Sequence, residues 1–257
     1  MFSFTTDQVS LWIAQFIWPF VRILSLFTFA PVLSQRNIPQ RVKLASAVVL
    51  TIVIAPLIPD FARPVLQDIY SVQGIVLLAE QLLVGFVMGF SLKLVFAAME
   101  TAGEFIGLQM GISFATFVDP QNARPTPIIG SLMNILAMLV FLGLNGHLSL
   151  IMSIAESFTV VPISSDAHAG FNWLALTQQG GQLFALGLHL ALPIIAVIMI
   201  CNMALAVLAR SAPQINIFSI SFAITMLAGL FALFAMLPGL SQLLETALGT
   251  NPIELLK

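Results

Sequence analysis

Six apolar stretches dominate this chain, at residues 9–33, 42–59, 72–98, 126–144, 181–209 and 215–238. A helix that crosses a membrane needs about 20 mostly apolar residues. Most of the six meet that length, and the second is short. Of the 257 residues, 59% are hydrophobic and 8% are charged, whereas a soluble domain carries about 25% charged residues. The fold class that follows is all-α and polytopic, a membrane-type protein of kinked helical hairpins. The kinks are expected at Pro19, Pro56 and Pro193, which lie inside apolar runs. Each removes a backbone hydrogen bond, and in lipid the freed carbonyl needs a partner from neighbouring protein or water.

Orientation follows from the basic residues. With six spans and an outside N-terminus, Arg36, Arg41, Lys43, Lys93, Arg124 and Arg210 fall on the cytoplasmic side, while Arg63 and Lys257 fall outside. The reverse orientation inverts that bias, so both termini are predicted outside. Met1–Ser10 carries Asp7 and no Lys or Arg, and the apolar run after it is longer than a signal-peptide core. That run reads as the first membrane helix rather than a cleavable leader.

Two segments fit neither loop nor span. One is Gly146–Phe158. The other, Glu100–Pro120, reads E-T-A-G-E-F-I-G-L-Q-M-G-I-S-F-A-T-F-V-D-P. Gly103, Gly107 and Gly111 recur every fourth residue there, so on a helix they form a strip that lets another backbone approach closely. Gly85 and Gly89 make a second such pair upstream. Several close-packing faces in one small protein point to contacts with other subunits, with internal packing as the alternative. The segment thus divides into a packing helix, Glu100–Gln109, and a short apolar, aromatic piece stopped by Asp119-Pro120.

Charges inside the apolar runs need an explanation too. Arg22 lies within the first run, and Glu80 and Lys93 within the third. A charge at such depth costs several kcal/mol unless it is paired or reaches water. Glu80 and Lys93 are about 20 Å apart on a straight helix, on different faces, so each requires a distant partner. Arg22 and Glu80 are expected to line an aqueous route or bridge subunits. For His189 and Asn202 in the fifth run, snorkelling or satisfying a kinked backbone is the favoured reading. A basic turn containing Arg210, Pro213 and Gln214 joins the last two runs into a tight antiparallel hairpin.

Enzyme chemistry finds little support. There is no H-E-x-x-H, no Cys/His ligand cluster and no phosphate-binding G-x-x-x-x-G-K-[ST]. Gly111–Ala115 only partly matches G-x-S-x-G and lacks the final glycine. His147 and His168 lie in a loop region, and Asp60 and Asp68 lie outside the apolar runs. Hence no catalytic residue, metal ligand or cofactor is assigned. The single Cys201 rules out an intrachain disulfide. A net charge of -2 offers no footprint for nucleic acid.

Two long motifs carry a family resemblance: A-G-E-F-I-G-L-Q-M-G-I-S-F-A-T-F-V-D-P at Ala102–Pro120, and R-S-A-P-Q-I-N-I-F at Arg210–Phe218. Supporting matches are Arg22 with A-P-V at Ala30–Val32, I-P-x-R at Ile38–Arg41, and F-L-G-L-N-G-H at Phe141–His147. Together they resemble the FliR family, the export-gate subunit of flagellar type III secretion, over nearly the whole chain. The chain departs from the family at Phe222-Ala223-Ile224-Thr225, where Phe-Pro-Leu-Lys or similar is common. That departure predicts a straighter, less charged last helix.

The resemblance implies a FliP-like part over residues 1–180 and a FliQ-like hairpin with a C-terminal tail over 181–257. It implies assembly with FliP and FliQ, next to FlhB, in a helical export-gate complex within the basal-body ring at the bacterial inner membrane. Unfolded flagellar proteins are the implied substrates. It also assigns a pore plug to Met110, Gly111, Ile112, Ser113, Phe114, Ala115, Thr116, Phe117 and Val118. Much of the apolar sequence is then buried in protein rather than lipid. The rival readings are a small-solute transporter with a site at Arg22 and Glu80, and a passive assembly scaffold.

Overall fold

A computed structural model describes residues 6–35, 38–58, 71–112, 127–163, 173–212, 214 and 216–248. Among these, seven α-helices follow in order: α1 (Thr6–Phe29), α2 (Gln40–Ile54), α3 (Val72–Gln109), α4 (Ile128–Gly143), α5 (Gly146–Val160), α6 (Trp173–Ser211) and α7 (Ile217–Leu248). A 3₁₀ turn, Ala55–Leu57, closes α2. Pro56 therefore ends a helix rather than kinking one, because its missing N–H falls where the α-helical ladder has already stopped. Pro19, Pro193 and Pro238 do lie inside helices.

Among the described residues, four helices are long and apolar enough to cross a membrane, or five if α4 and α5 form one broken span. Gln15–Phe29 is a shorter apolar stretch within the 24-residue α1. Glu100–Gln109 is not a separate helix either: α3 runs unbroken from Val72 to Gln109. Glu104 is exposed and Glu100 half-buried, so the carboxylates lower local hydropathy without costing the helix its core face. Gly146–Phe158, which fitted no class by sequence, forms most of α5.

The chain divides into two compact units that alternate along the sequence. The first holds residues 1–93, 145–179 and 250–257. Its core joins Trp18, Ile23, Leu26 and Phe27 of α1 to Val84, Val87 and Met88 of α3 and to Ile154 and Phe158 of α5, with Ala47 and Ile54 of α2. Two close approaches bring α1 and α3 together. A Cβ on Gly85 would collide with the carbonyl oxygen of Arg22 and sit 2.8 Å from Ser25 Cβ. A Cβ on Gly89 would sit 2.9 Å from Phe29 Cβ. The contact is fastened by Ser25, whose hydroxyl donates to the Leu82 carbonyl at 2.7 Å.

The second unit holds residues 94–144 and 180–249. In α4 the buried positions Ile129, Met133, Ala137 and Phe141 recur every fourth residue, a single inward stripe. It meets α3 at Phe96, whose ring lies edge-on to Phe141 with centroids 5.7 Å apart, and at a glycine pair, Gly103 and Gly130. A Cβ on Gly103 would lie 2.5 Å from Gly130 Cα. Gly187 gives α6 a similar approach to α3, 2.9 Å from the Ala98 carbonyl.

Candidate functional site

Two places gather the residues that the sequence singles out. In the first unit, Arg22 of α1 is fully buried. Its Nε donates to Gln81 Oε1 of α3 at 2.8 Å. One terminal nitrogen donates to the Ser157 carbonyl at 2.9 Å and reaches Ser157 Oγ at 3.1 Å, and the other donates to the Val161 carbonyl at 2.9 Å. The guanidinium also lies 4.2 Å from the centre of the Phe158 ring. Glu80, half-buried beside Gln81, adds Coulombic attraction.

This geometry has a clear physical logic. α5 ends at Val160, and the last carbonyls of a helix lack intrahelical donors and carry its negative dipole end. A planar cation with several fixed donors suits that end well. Arg22 thus caps α5 while tying it to α1 and α3. The expected role of Arg22, bridging subunits or lining water, gives way to an internal clamp, because its donors are taken up by this chain. The partners Gln81, Ser157, Phe158 and Val161 escaped the sequence reading. Their only signals were the polar Glu80-Gln81 pair in an apolar run and two serines, Ser153 and Ser157, one turn apart. Lys93, grouped with Arg22 by sequence, is exposed.

The glycine faces expected to meet other subunits are also filled from within. Gly85 and Gly89 pack on α1, Gly103 on Gly130, and Gly107 lies 3.6 Å from Ile129 Cγ1. The third member of the expected strip, Gly111, is not on the helix at all. It has φ 80, and its N–H donates to the Leu108 carbonyl at 3.1 Å while the N–H of Ile112 donates to the Gly107 carbonyl at 3.1 Å. That pair of bonds is a Schellman ending, with glycine at the left-handed position. Gly111→Ala is therefore expected to cost about 1–2 kcal/mol, and Gly111→Asn less, since asparagine tolerates that conformation. Thermal unfolding of the purified protein in detergent would show the order glycine, asparagine, alanine.

Met110, assigned to the plug by resemblance, is buried at the end of α3. Its side chain occupies the space beside Gly229 of α7, where an added Cβ would lie 2.7 Å from Met110 Cγ and 2.9 Å from its sulfur. Enclosed this way, Met110 packs within its own chain. Ile112 is half-buried. Ser113, Phe114, Ala115, Thr116, Phe117 and Val118 lie outside the described residues, as does Pro213 of the basic turn. Arg210 and Gln214 of that turn are exposed, His189 is exposed and Asn202 is half-buried. Among the described residues, no three His, Cys, Asp or Glu side chains gather where they could hold a metal.

Comparison with known proteins now adds to this geometry. Residues 13–250 match the family described as bacterial export proteins, family 1. The chain is 44% identical over 238 residues to the flagellar biosynthetic protein FliR of Pectobacterium carotovorum subsp. carotovorum, covering 93% of this chain and 90% of that protein. It is 41% identical over 245 residues to FliR of Escherichia coli (strain K12), covering 95% and 92%. FliR of Buchnera aphidicola subsp. Acyrthosiphon pisum (strain APS) is 34% identical, with 96% and 95% covered. The motifs that suggested the resemblance and the span of these matches agree: the chain belongs to the FliR family of bacterial export proteins.

Proposed function

We propose that this chain is a subunit of the flagellar type III export gate in the bacterial inner membrane, forming part of the channel for unfolded flagellar substrates. FliP-like residues 1–180 and a FliQ-like hairpin from 181 onwards assemble with FliP, FliQ and FlhB in the basal body. Of the segment Met110–Val118, the residues beyond Met110 carry the closing contact of the channel.

The observation that carries the reading is family membership: the match spans residues 13–250, and the FliR proteins at 44% and 41% identity are covered over 90% and 92% of their length. On α6 the exposed apolar side chains follow a polar stretch at Thr177–Gln182 and continue from Phe184 to Leu208, about 36 Å of helix, which a tilted membrane span accommodates.

The rival transporter reading loses its proposed site. Arg22 is enclosed by carbonyls and a glutamine of its own chain, so it offers a solute no free charge. The scaffold reading is separated by experiment. Deleting Ser113–Phe117 is expected to leave complex assembly intact and to raise leakage of a membrane-impermeant sugar through the idle complex. A normal yield of complex with unchanged permeability leaves only the scaffold role. Failure of FliP and FliQ to co-purify with the tagged chain from native membranes overturns the assembly itself.

A further inference from the structure

We infer that Met110, Gly229 and Thr225 form a fixed joint tying the end of α3 to α7, one that stays closed while the assembled complex works. The joint stands on the geometry of the second unit. Its consequence for transport rests on the export-gate reading.

Three observations support it. Met110 is the last residue before a backbone reversal, and only 1% of its surface is exposed. Long, flexible and polarisable, a methionine side chain fits an irregular gap well. Here the gap exists because position 229 lacks a side chain: three Met110 side-chain atoms, Cγ, Cε and the sulfur, lie within 2.9 Å of where its Cβ would be. Gly229 is otherwise an expensive choice in the interior of a helix, costing about 1 kcal/mol relative to alanine. One turn before it on α7, buried Thr225 places its hydroxyl 3.5 Å from the Met110 carbonyl.

That hydroxyl has one proton and three acceptors in reach, and the Ser221 carbonyl at 2.9 Å is much nearer. The joint is therefore held by packing of the methionine into the glycine seat, with Thr225 as a polar wall. Immediately beyond, the Schellman bonds of Gly111 and Ile112 end the helix. Met110 is fixed on both sides, by the last turn of α3 and by α7. The left-handed glycine after it is the first place where the backbone turns free of the helical ladder.

A cysteine pair tests the joint in the assembled complex. Met110 Cγ lies 2.7 Å from the Gly229 Cβ position, so the two Cβ positions are at most about one bond length farther apart, no farther than a disulfide spans. In a Cys201→Ala background, Met110→Cys with Gly229→Cys is expected to cross-link on mild oxidation. The oxidised complex should then export a flagellar substrate at the same rate as its reduced form. Absence of the cross-link in assembled complex refutes the joint. A cross-linked complex that stops exporting until reduced shows that the joint must open, which refutes its fixed character.

A second pair of variants guards against a poorly folding cysteine protein. Gly229→Val fills the seat and is expected to raise sugar leakage several-fold at normal complex yield. Adding Met110→Ala restores room and should return leakage to the parental level. Where the Ser113–Phe117 deletion itself leaks, equal leakage from the single and double variants, or none from the single, overturns the inference. If the Ser113–Phe117 deletion leaks nothing while the cysteines still cross-link, the closing role fails and the joint stands.

Discussion

Arg22→Ala is expected to destabilise the first unit by about 2–6 kcal/mol, the cost of leaving two buried acceptors without donors at about 1–3 kcal/mol each. The loss has separable parts. Gln81 Oε1 and the Val161 carbonyl lose the donors described above, while the Ser157 carbonyl still accepts the Val161 N–H at 2.9 Å. Each buried group left unsatisfied costs about 1–3 kcal/mol. Phe158 also loses its cation, and a cavity opens among α1, α3 and α5. Arg22→Lys keeps the charge, but one ammonium cannot reach acceptors spread over two helices, so it should recover only part of the loss. Arg22→Met keeps most of the volume and separates packing from hydrogen bonding. The thermal midpoint of the detergent-purified protein should fall in the order Arg, then Lys and Met, then Ala. Yield of the assembled complex should fall with it, because the unit must fold before it can be bound. Unchanged midpoints with lower complex yield would restore the alternative that Arg22 contacts another subunit.

The helical class and most of the helices were legible from hydropathy, because long apolar runs have few other solutions in a membrane. The ends were not. Glu100 and Glu104 looked like the start of a new segment, yet a helix tolerates charges on its open face, and the true end is set by the left-handed Gly111. The polar run Thr177–Gln182 hid the start of α6, which begins at Trp173. Pro238 lies within α7 rather than at its end. Arg22 has the partners that its depth in an apolar run demands, but a single sequence has no way to name them. Gln81 lies 59 residues from Arg22, and the Ser157 and Val161 carbonyls lie 135 and 139 residues away. Backbone carbonyls leave no trace in residue type at all. Glycine spacing showed that a close approach exists on α3, but not whether the approaching backbone belongs to this chain or to another.

Gly103→Ala answers that question with a large expected effect. The nearest atoms to the added Cβ are all backbone of α4: Gly130 Cα at 2.5 Å, its nitrogen at 2.6 Å and the Ile129 carbonyl at 2.7 Å. No side chain can rotate away, so α3 and α4 must separate, and the buried stripe of α4 loses contact along with them. Overpacking of this kind typically costs about 1–3 kcal/mol, and a clash between two backbones belongs at the upper end. Gly107, one turn further on the same face, makes the control. A Cβ there lies 3.6 Å from Ile129 Cγ1 and 3.7 Å from its Cβ, ordinary van der Waals distances. Gly107→Ala should therefore be neutral or stabilising by up to about 1 kcal/mol through helix propensity. The two substitutions are the same in chemistry and four residues apart, so a difference in sign between their thermal midpoints isolates the Gly103–Gly130 contact. If both lower the midpoint equally, the close approach of α3 and α4 is wrong. If Gly107→Ala leaves the midpoint unchanged but lowers the yield of assembled complex, that part of the strip also faces a second subunit, as the spacing alone first suggested.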